Sequence, residues 1–440
     1  METNTQMSLF LFHNPVGRSP SSWRRSRSRV EELYGLSLAK YSAQRAEAAK
    51  LDAIFLADWL SFDRTGRNPD LTGFEPFTLA GALSAVTERI GIVVTASTTF
   101  MEPYNLARFF SQLDWLSNGR IGWNVVTSQT GDENFNVTLP SKSERYTIAE
   151  EFLDVVGQLW DGWDDDAVLV DREKGVWANT ERIHKTAPKT PRYQVEGPLL
   201  VPRSPQGWPV LAQAGQSDAG IAFAAKFAEA VFTAQNDVEL AQDFYARVKA
   251  QLLENGRDSN SLKIMPGIVP IIGDTEEEAH ELANEIADLL PVDEGLALIS
   301  EYLLGIKVDD LDFDQPVPLE RLVKPEAVKD EKTSSRYVNI YRKAADERQT
   351  LRQLIRDTVH TESHGLMIGT AAQIADQLEY WFKNSACDGF TLSPSHMPEG
   401  LDAICDKLVP ELQRRGLFRT EYSGETLRHT LGLERPAPKR

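Results

Sequence analysis

"GRIGWNVVTS", residues 119–128, opens on a turn glycine, runs through apolar residues as densely as a buried strand, and ends on polar Asn, Thr and Ser. Buried amides and hydroxyls cost free energy unless partnered, so a polar cluster at a strand exit points to a ligand or a satisfied network. Upstream, "NLARFFSQLDWLSNG" (105–119) carries a helical apolar stripe with a Gly stop. Downstream, "SERYTIAEEFLDVVGQLWDGW" (143–163) reads as a helix opened by Ser143, with acids in its first turns. The strand thus sits between two helices, as in a βα repeat.

The alternation extends along the chain. Further apolar runs lie at 8–14, 53–58, 90–99, 209–215, 229–235, 263–273 and 388–394, mostly separated by helical patterns. Eight such runs predict an α/β fold, a (β/α)8 TIM barrel, with a doubly wound sheet as the competitor because alternation does not show closure. One domain over 1–440 is expected, with insertions at about 129–207 (after strand 4) and 290–370 (between strands 7 and 8) and a C-terminal extension at about 416–440. The first insertion reads as an irregular excursion, the second as a run of helices.

The formal charge of −18 opposes nucleic acid or an anionic membrane surface as partner, where clustered Lys and Arg supply the attraction. No apolar run of about 18 residues is present to cross a bilayer. Two cysteines, Cys387 and Cys405, without CxxC spacing, fit a reducing compartment, so a cytoplasmic location is expected. "WRRSRSR" (23–29) reads as a solvated basic loop.

If the barrel closes, its catalytic face is where the strands exit. Those exits supply His13, Asn14, Asp58, Trp59, Thr95, Asn124, Ser128, Gln213, Ser217, Gln235 and His396. Each is individually explicable as a helix cap or loop residue, but their recurrence at one end is not. Ser217 in "AGQS" opens a helix, where free N–H groups and the dipole suit a phosphate, although Ser is also a common N-cap. Trp59, Phe100, Tyr104 and Trp123 are candidates to line an apolar pocket or pack on a flat ring, or to fill the core. "HTESH" spaces His360 and His364 for one helix face, but lacks the HExxH order and a third ligand, so no metal is expected. GxSxG, GxGxxG and GxxxxGK[ST] are all missing.

"FLAD", "VVTASTT", "GRIGWNVVTS", "SERY" and "QAGQS", in this order, resemble the flavin-dependent monooxygenases of the bacterial luciferase-like superfamily. The similarity is to the branch with nitrilotriacetate monooxygenase component A and dibenzothiophene sulfone monooxygenase. It implies reduced FMN (FMNH2) as cofactor, O2 and a small organic compound as substrates, a separate NAD(P)H:flavin reductase as partner, and a homo-oligomer, dimer or tetramer. By the same resemblance Asp58 and Thr95 approach the flavin ring, Tyr146 and Ser217 hold the phosphate end, and Asn124 and Ser128 are second contacts. Lys142 stands in "KSERY" where the branch often has His, and donates to phosphate only as a point charge. His13, Trp59, Phe100 and His396 are the expected substrate contacts. The competing functions are a deazaflavin- or FMN-dependent oxidoreductase of the same fold and a non-catalytic flavin-binding protein.

Overall fold

Side chains alternate between two destinations along each main strand, as a strand buried on both faces requires. In β1 (Ser8–Phe12), Leu9 and Leu11 join the large cluster beneath the helices, while Phe10 and Phe12 enter a separate apolar cluster. The same division holds in β2 (Ala53–Leu56), β3 (Gly91–Ser97) and β4 (Ile121–Val126), where Ile54, Val94 and Trp123 face the helices and Phe55 and Val93 face the second cluster. That second cluster is a barrel interior. The computed structural model describes residues 6–62, 69, 73–185, 189–328, 335–361 and 364–438.

After β4 come a short antiparallel hairpin, β5 (Val168–Asp171) and β6 (Val176–Ala178), then β7 (Val210–Ala214), β8 (Ala230–Thr233), β9 (Lys263–Gly273), β10 (Gly365–Thr370) and β11 (Gly389–Leu392). Eight of these strands close a parallel ring in the order β1-β2-β3-β4-β7-β8-β9-β11 and back to β1. The (β/α)8 barrel expected from the alternation is therefore present.

The C-terminal extension closes the end where the strands enter. Leu427, Leu431 and Leu433 belong to the interior cluster, and the Leu427 amide donates to the Gly119 carbonyl just before β4 (3.0 Å). Three arginines fasten the segment: Arg419 to Asp52 (2.5 Å), Arg428 to Glu229, and Arg435 to Asp165 (2.6 Å). Gly91 makes room for it, since a Cβ there would stand 2.4 Å from Leu427 Cδ1 and 2.9 Å from the Asp52 carbonyl. Gly91→Val is expected to cost about 2–3 kcal/mol by overpacking, read as a lower midpoint in urea; an unchanged midpoint contradicts the plug.

Several details differ from the sequence reading. Within 290–370 the described residues hold helices at Val292–Tyr302, Ser335–Ala345 and Leu351–Thr361, and the stretch ends in β10, which pairs with the exit half of β9 outside the ring. The excursion after β4 holds the hairpin. The helix expected from Ser143 is Lys142–Trp160, capped by Ser141, whose hydroxyl accepts from the Glu144 amide. The last helix is broken by a π turn at Ile404–Leu408, directly before Pro410, which has no N–H to continue the ladder. The "WRRSRSR" segment is no free basic loop: Arg24 reaches the Leu289 carbonyl, Arg25 pairs with Glu285 (2.7 Å), Arg27 with Glu399 (3.7 Å) and Arg29 with Glu32 (2.6 Å). No helix among the described residues is long and apolar enough to cross a membrane.

Candidate active site at the strand exits

The polar end of β4 is largely answered by β3, its neighbour. Asn124 Nδ2 donates to Thr95 Oγ1 (2.9 Å), Ser128 Oγ to Ser97 Oγ (2.8 Å), and Thr99 Oγ1 to the Thr127 carbonyl (2.7 Å). Ser128 takes this position with a left-handed φ of +45°, a conformation that costs a non-glycine residue about 1 kcal/mol or more. Asn124 Oδ1, however, is buried with no partner. A buried amide oxygen in that state is an acceptor awaiting a donor.

Below this rim three phenyl rings meet across the barrel. Phe12 ends β1, Phe55 lies near the end of β2 and Phe232 near the end of β8, with centroids 5.5–5.6 Å apart. They form an apolar floor on which a flat heteroaromatic ring can rest. Trp123 takes no part: alternation turns it outward, against Phe110, Phe152 and Trp160.

Asp58 follows β2 at the rim and is half-buried. Burial, with Glu75 nearby, raises its carboxyl to about 6, partly offset by the Trp59 amide. Its folded-state value thus lies above the ordinary carboxylate range, so its contribution to stability is present at low pH and lost as pH rises through about 4 to 6. Asp58→Asn is expected to flatten the stability–pH curve in that window and to remove an inflection near pH 6 from flavin binding; curves identical to wild type contradict a buried carboxyl at the rim.

The residues expected at a phosphate lie at two helix starts. Ser217 caps the helix Asp218–Phe227 by accepting from the Gly220 amide (3.3 Å). The Tyr146 phenol, one turn into Lys142–Trp160, hydrogen-bonds Ser217, and burial raises its pKa. A Cβ at Gly220 would stand 3.1 Å from the Tyr146 hydroxyl and 3.4 Å from Ser217 Oγ, so the absent side chain lets the two hydroxyls and the helix start come close together. Lys142 lies four residues before Tyr146, hence on the same helical face. Hydroxyls, a helix N-terminus and an ammonium form a donor set suited to a phosphate monoester, and the orphaned Asn124 oxygen suits an imide N–H. These residues fit FMN.

The expected substrate contacts are distributed unevenly. His13 sits directly after Phe12, its Nδ1 is buried without a partner, and burial lowers its pKa to about 4, so the ring is neutral. Trp59 stands at the rim, 60% exposed. Phe100 stacks on Phe135 (4.5 Å). His396 is buried, with Nδ1 on the Ser395 hydroxyl (2.9 Å) and its ring 3.1 Å from where a Gly400 Cβ would be, and burial lowers its pKa to about 3. His360 has both ring nitrogens engaged, by Ser19 and the Ala283 carbonyl (3.0 Å each), and Glu362 and Ser363 of "HTESH" lie outside the described residues. Among the described residues no group of three or more His, Cys, Asp or Glu could hold a metal.

A (β/α)8 barrel plugged at the strand-entry end, with aromatic rings and polar side chains gathered at the strand exits, is the architecture of an enzyme whose site lies at that end. A family profile described as luciferase-like monooxygenase matches residues 11–388. The chain is 43% identical to N-acetyl-S-(2-succino)cysteine monooxygenase of Bacillus subtilis (strain 168), covering 98% of this chain and 97% of that one. It is 40% identical to nitrilotriacetate monooxygenase component A of Aminobacter aminovorans (99% and 98%) and 35% to dibenzothiophene-sulfone monooxygenase of Rhodococcus erythropolis (99% and 98%). Among solved structures, EDTA monooxygenase from Chelativorans sp. BNC1 superposes with a TM-score of 0.83 at 32% identity, covering 98% and 99%. The chain belongs to the luciferase-like monooxygenase family. It is a flavin-dependent monooxygenase.

Proposed function

We propose that this enzyme is the oxygenase of a two-component system, taking FMNH2 from a separate NAD(P)H:flavin reductase and using O2 to oxygenate a small organic substrate. The observation that carries the reading is the Tyr146–Ser217 hydrogen bond at a helix start, following the strand that pairs with β4 and its unpartnered acceptor Asn124 Oδ1. Reduced FMN, when bound, supplies the two electrons that O2 activation needs. The protein does the rest. Lys142, Tyr146 and Ser217 bind the phosphate, and Asn124, Thr95 and Ser128 orient the ring. The Phe12–Phe55–Phe232 floor excludes water from beneath it, and Asp58 is able to hold a proton below about pH 6. His13, Trp59, Phe100 and His396 are carried as substrate-side residues. The unpaired thiols Cys387 and Cys405 support a cytoplasmic location. A homo-oligomer is supported by exposed apolar side chains on the excursion after β4, Trp177 at 65% and Leu200 at 76%.

The test supplies FMN, a generic flavin reductase, NADH and 18O2 with a panel of carboxylates, sulfones and sulfides. Incorporation of one labelled oxygen into an organic product, dependent on flavin and substrate, is expected. Tight FMN binding with label appearing only in peroxide and water overturns the reading.

A further inference from the structure

Gln213 stands at the exit of β7 and is 3% exposed, yet its side-chain Oε1 is buried without a hydrogen-bond partner. Strand parity sends the side chain outward. Ala212 joins the barrel interior and Leu211 the cluster beneath the helices, so Gln213, on the same side as Leu211, faces the helices. Gly215 makes room for it there. A Cβ at Gly215 would stand 2.4 Å from Gln213 Nε2 and 3.4 Å from the Tyr146 hydroxyl, so the amide and the phenol flank the space that this glycine leaves open. A buried amide oxygen left without a donor is costly, and this one awaits a donor from outside the chain.

Its place in the fold says which donor. Ala212 pairs with Asn124 of β4, whose Oδ1 is the acceptor assigned above to the flavin ring, and Ser217, just beyond Gly215, is the residue assigned to the phosphate. The segment from Gln213 to Gln216 therefore lies along the path from ring to phosphate. The other amide on that path is occupied, since Gln216 Nε2 donates to the Ala234 carbonyl (2.9 Å). A phosphate dianion offers acceptors only, whereas the hydroxyls of a polyol chain can donate. Resting on the oxygenase reading above, we infer that Gln213 is a further cofactor-binding residue and accepts a hydrogen bond from a hydroxyl of the flavin's ribityl chain. The three parts of FMN are then held by separate groups: the ring by Asn124, the polyol by Gln213, and the phosphate by Tyr146 and Ser217.

Fluorescence titration of the full chain with FMN, riboflavin and lumiflavin tests this, because lumiflavin carries a methyl group where the other two carry the ribityl chain. Gln213→Leu is expected to weaken FMN and riboflavin by about tenfold each while leaving lumiflavin within about twofold of wild type. Gln213→Glu, which keeps an acceptor, is expected to hold riboflavin within about threefold. Should the leucine variant fail to fold, Gln213→Met gives the same comparison with an unbranched side chain. Equal losses for all three flavins mark a merely structural role and overturn the inference, as does unchanged affinity for FMN and riboflavin. In either case, flavin-dependent entry of labelled oxygen into a product by the wild type leaves the oxygenase reading standing. Loss that spares lumiflavin, with label appearing only in peroxide and water, upholds the Gln213 contact and rejects the oxygenase. A wild type that binds none of the three flavins overturns both.

Discussion

Ser217→Asp is expected to weaken FMN binding by about 100-fold or more while leaving riboflavin binding within about threefold of wild type. Asp is as good an N-cap as Ser, so the hydrogen bond to the Gly220 amide and the start of the helix Asp218–Phe227 are kept. What changes is charge. A carboxylate placed against a phosphate dianion in a partly buried cradle costs several kcal/mol, and about 2.7 kcal/mol already corresponds to 100-fold. Riboflavin, lacking the phosphate, separates this effect from general damage. Fluorescence titration of both flavins reads it directly. Equal losses for FMN and riboflavin, or no loss for either, would mean that the phosphate is held elsewhere.

The second large effect is structural. Arg428 is buried in the C-terminal plug, where it pairs with Glu229 and donates to the carbonyls of Trp208 (3.2 Å) and Glu434 (3.1 Å). Glu229 in turn accepts from the Leu211 amide of β7 (3.0 Å), so the pair ties the plug to the barrel wall. Arg428→Met strands a carboxylate among these groups and is expected to destabilise the fold by about 3–5 kcal/mol. Adding Glu229→Gln removes the stranded charge and should recover part of the loss. Denaturant unfolding of the two variants checks both steps; a single variant as stable as wild type would show the plug to be unnecessary.

The barrel was legible in sequence because its strands are buried on both faces and appear as short apolar runs between helical patterns. β10 was hidden for a physical reason: "GLMIGT" (365–370) follows a helix-rich stretch and pairs only with the far half of β9, so no alternation frames it. Asp58, Asn124 and Ser217 could be read as polar residues at strand exits. The assignment of Tyr146 and Lys142 to a phosphate came from likeness, since a helix surface shows no such preference by itself. The outward position of Trp123 was available from parity, because the neighbour of an inward Asn124 must point the other way. The Phe12–Phe55–Phe232 floor was not available: it exists only once β1, β2 and β8 are brought together by closure.

Hydrogen exchange of the full chain with and without FMN tests the central claim most directly. Slowed exchange is predicted at amides 142–148, at 215–222 and at the exits of β3 and β4, all facing one mouth. Protection confined to the hairpin, to the plug or to the helices of 290–361 would place the flavin somewhere other than the strand exits and contradict the account.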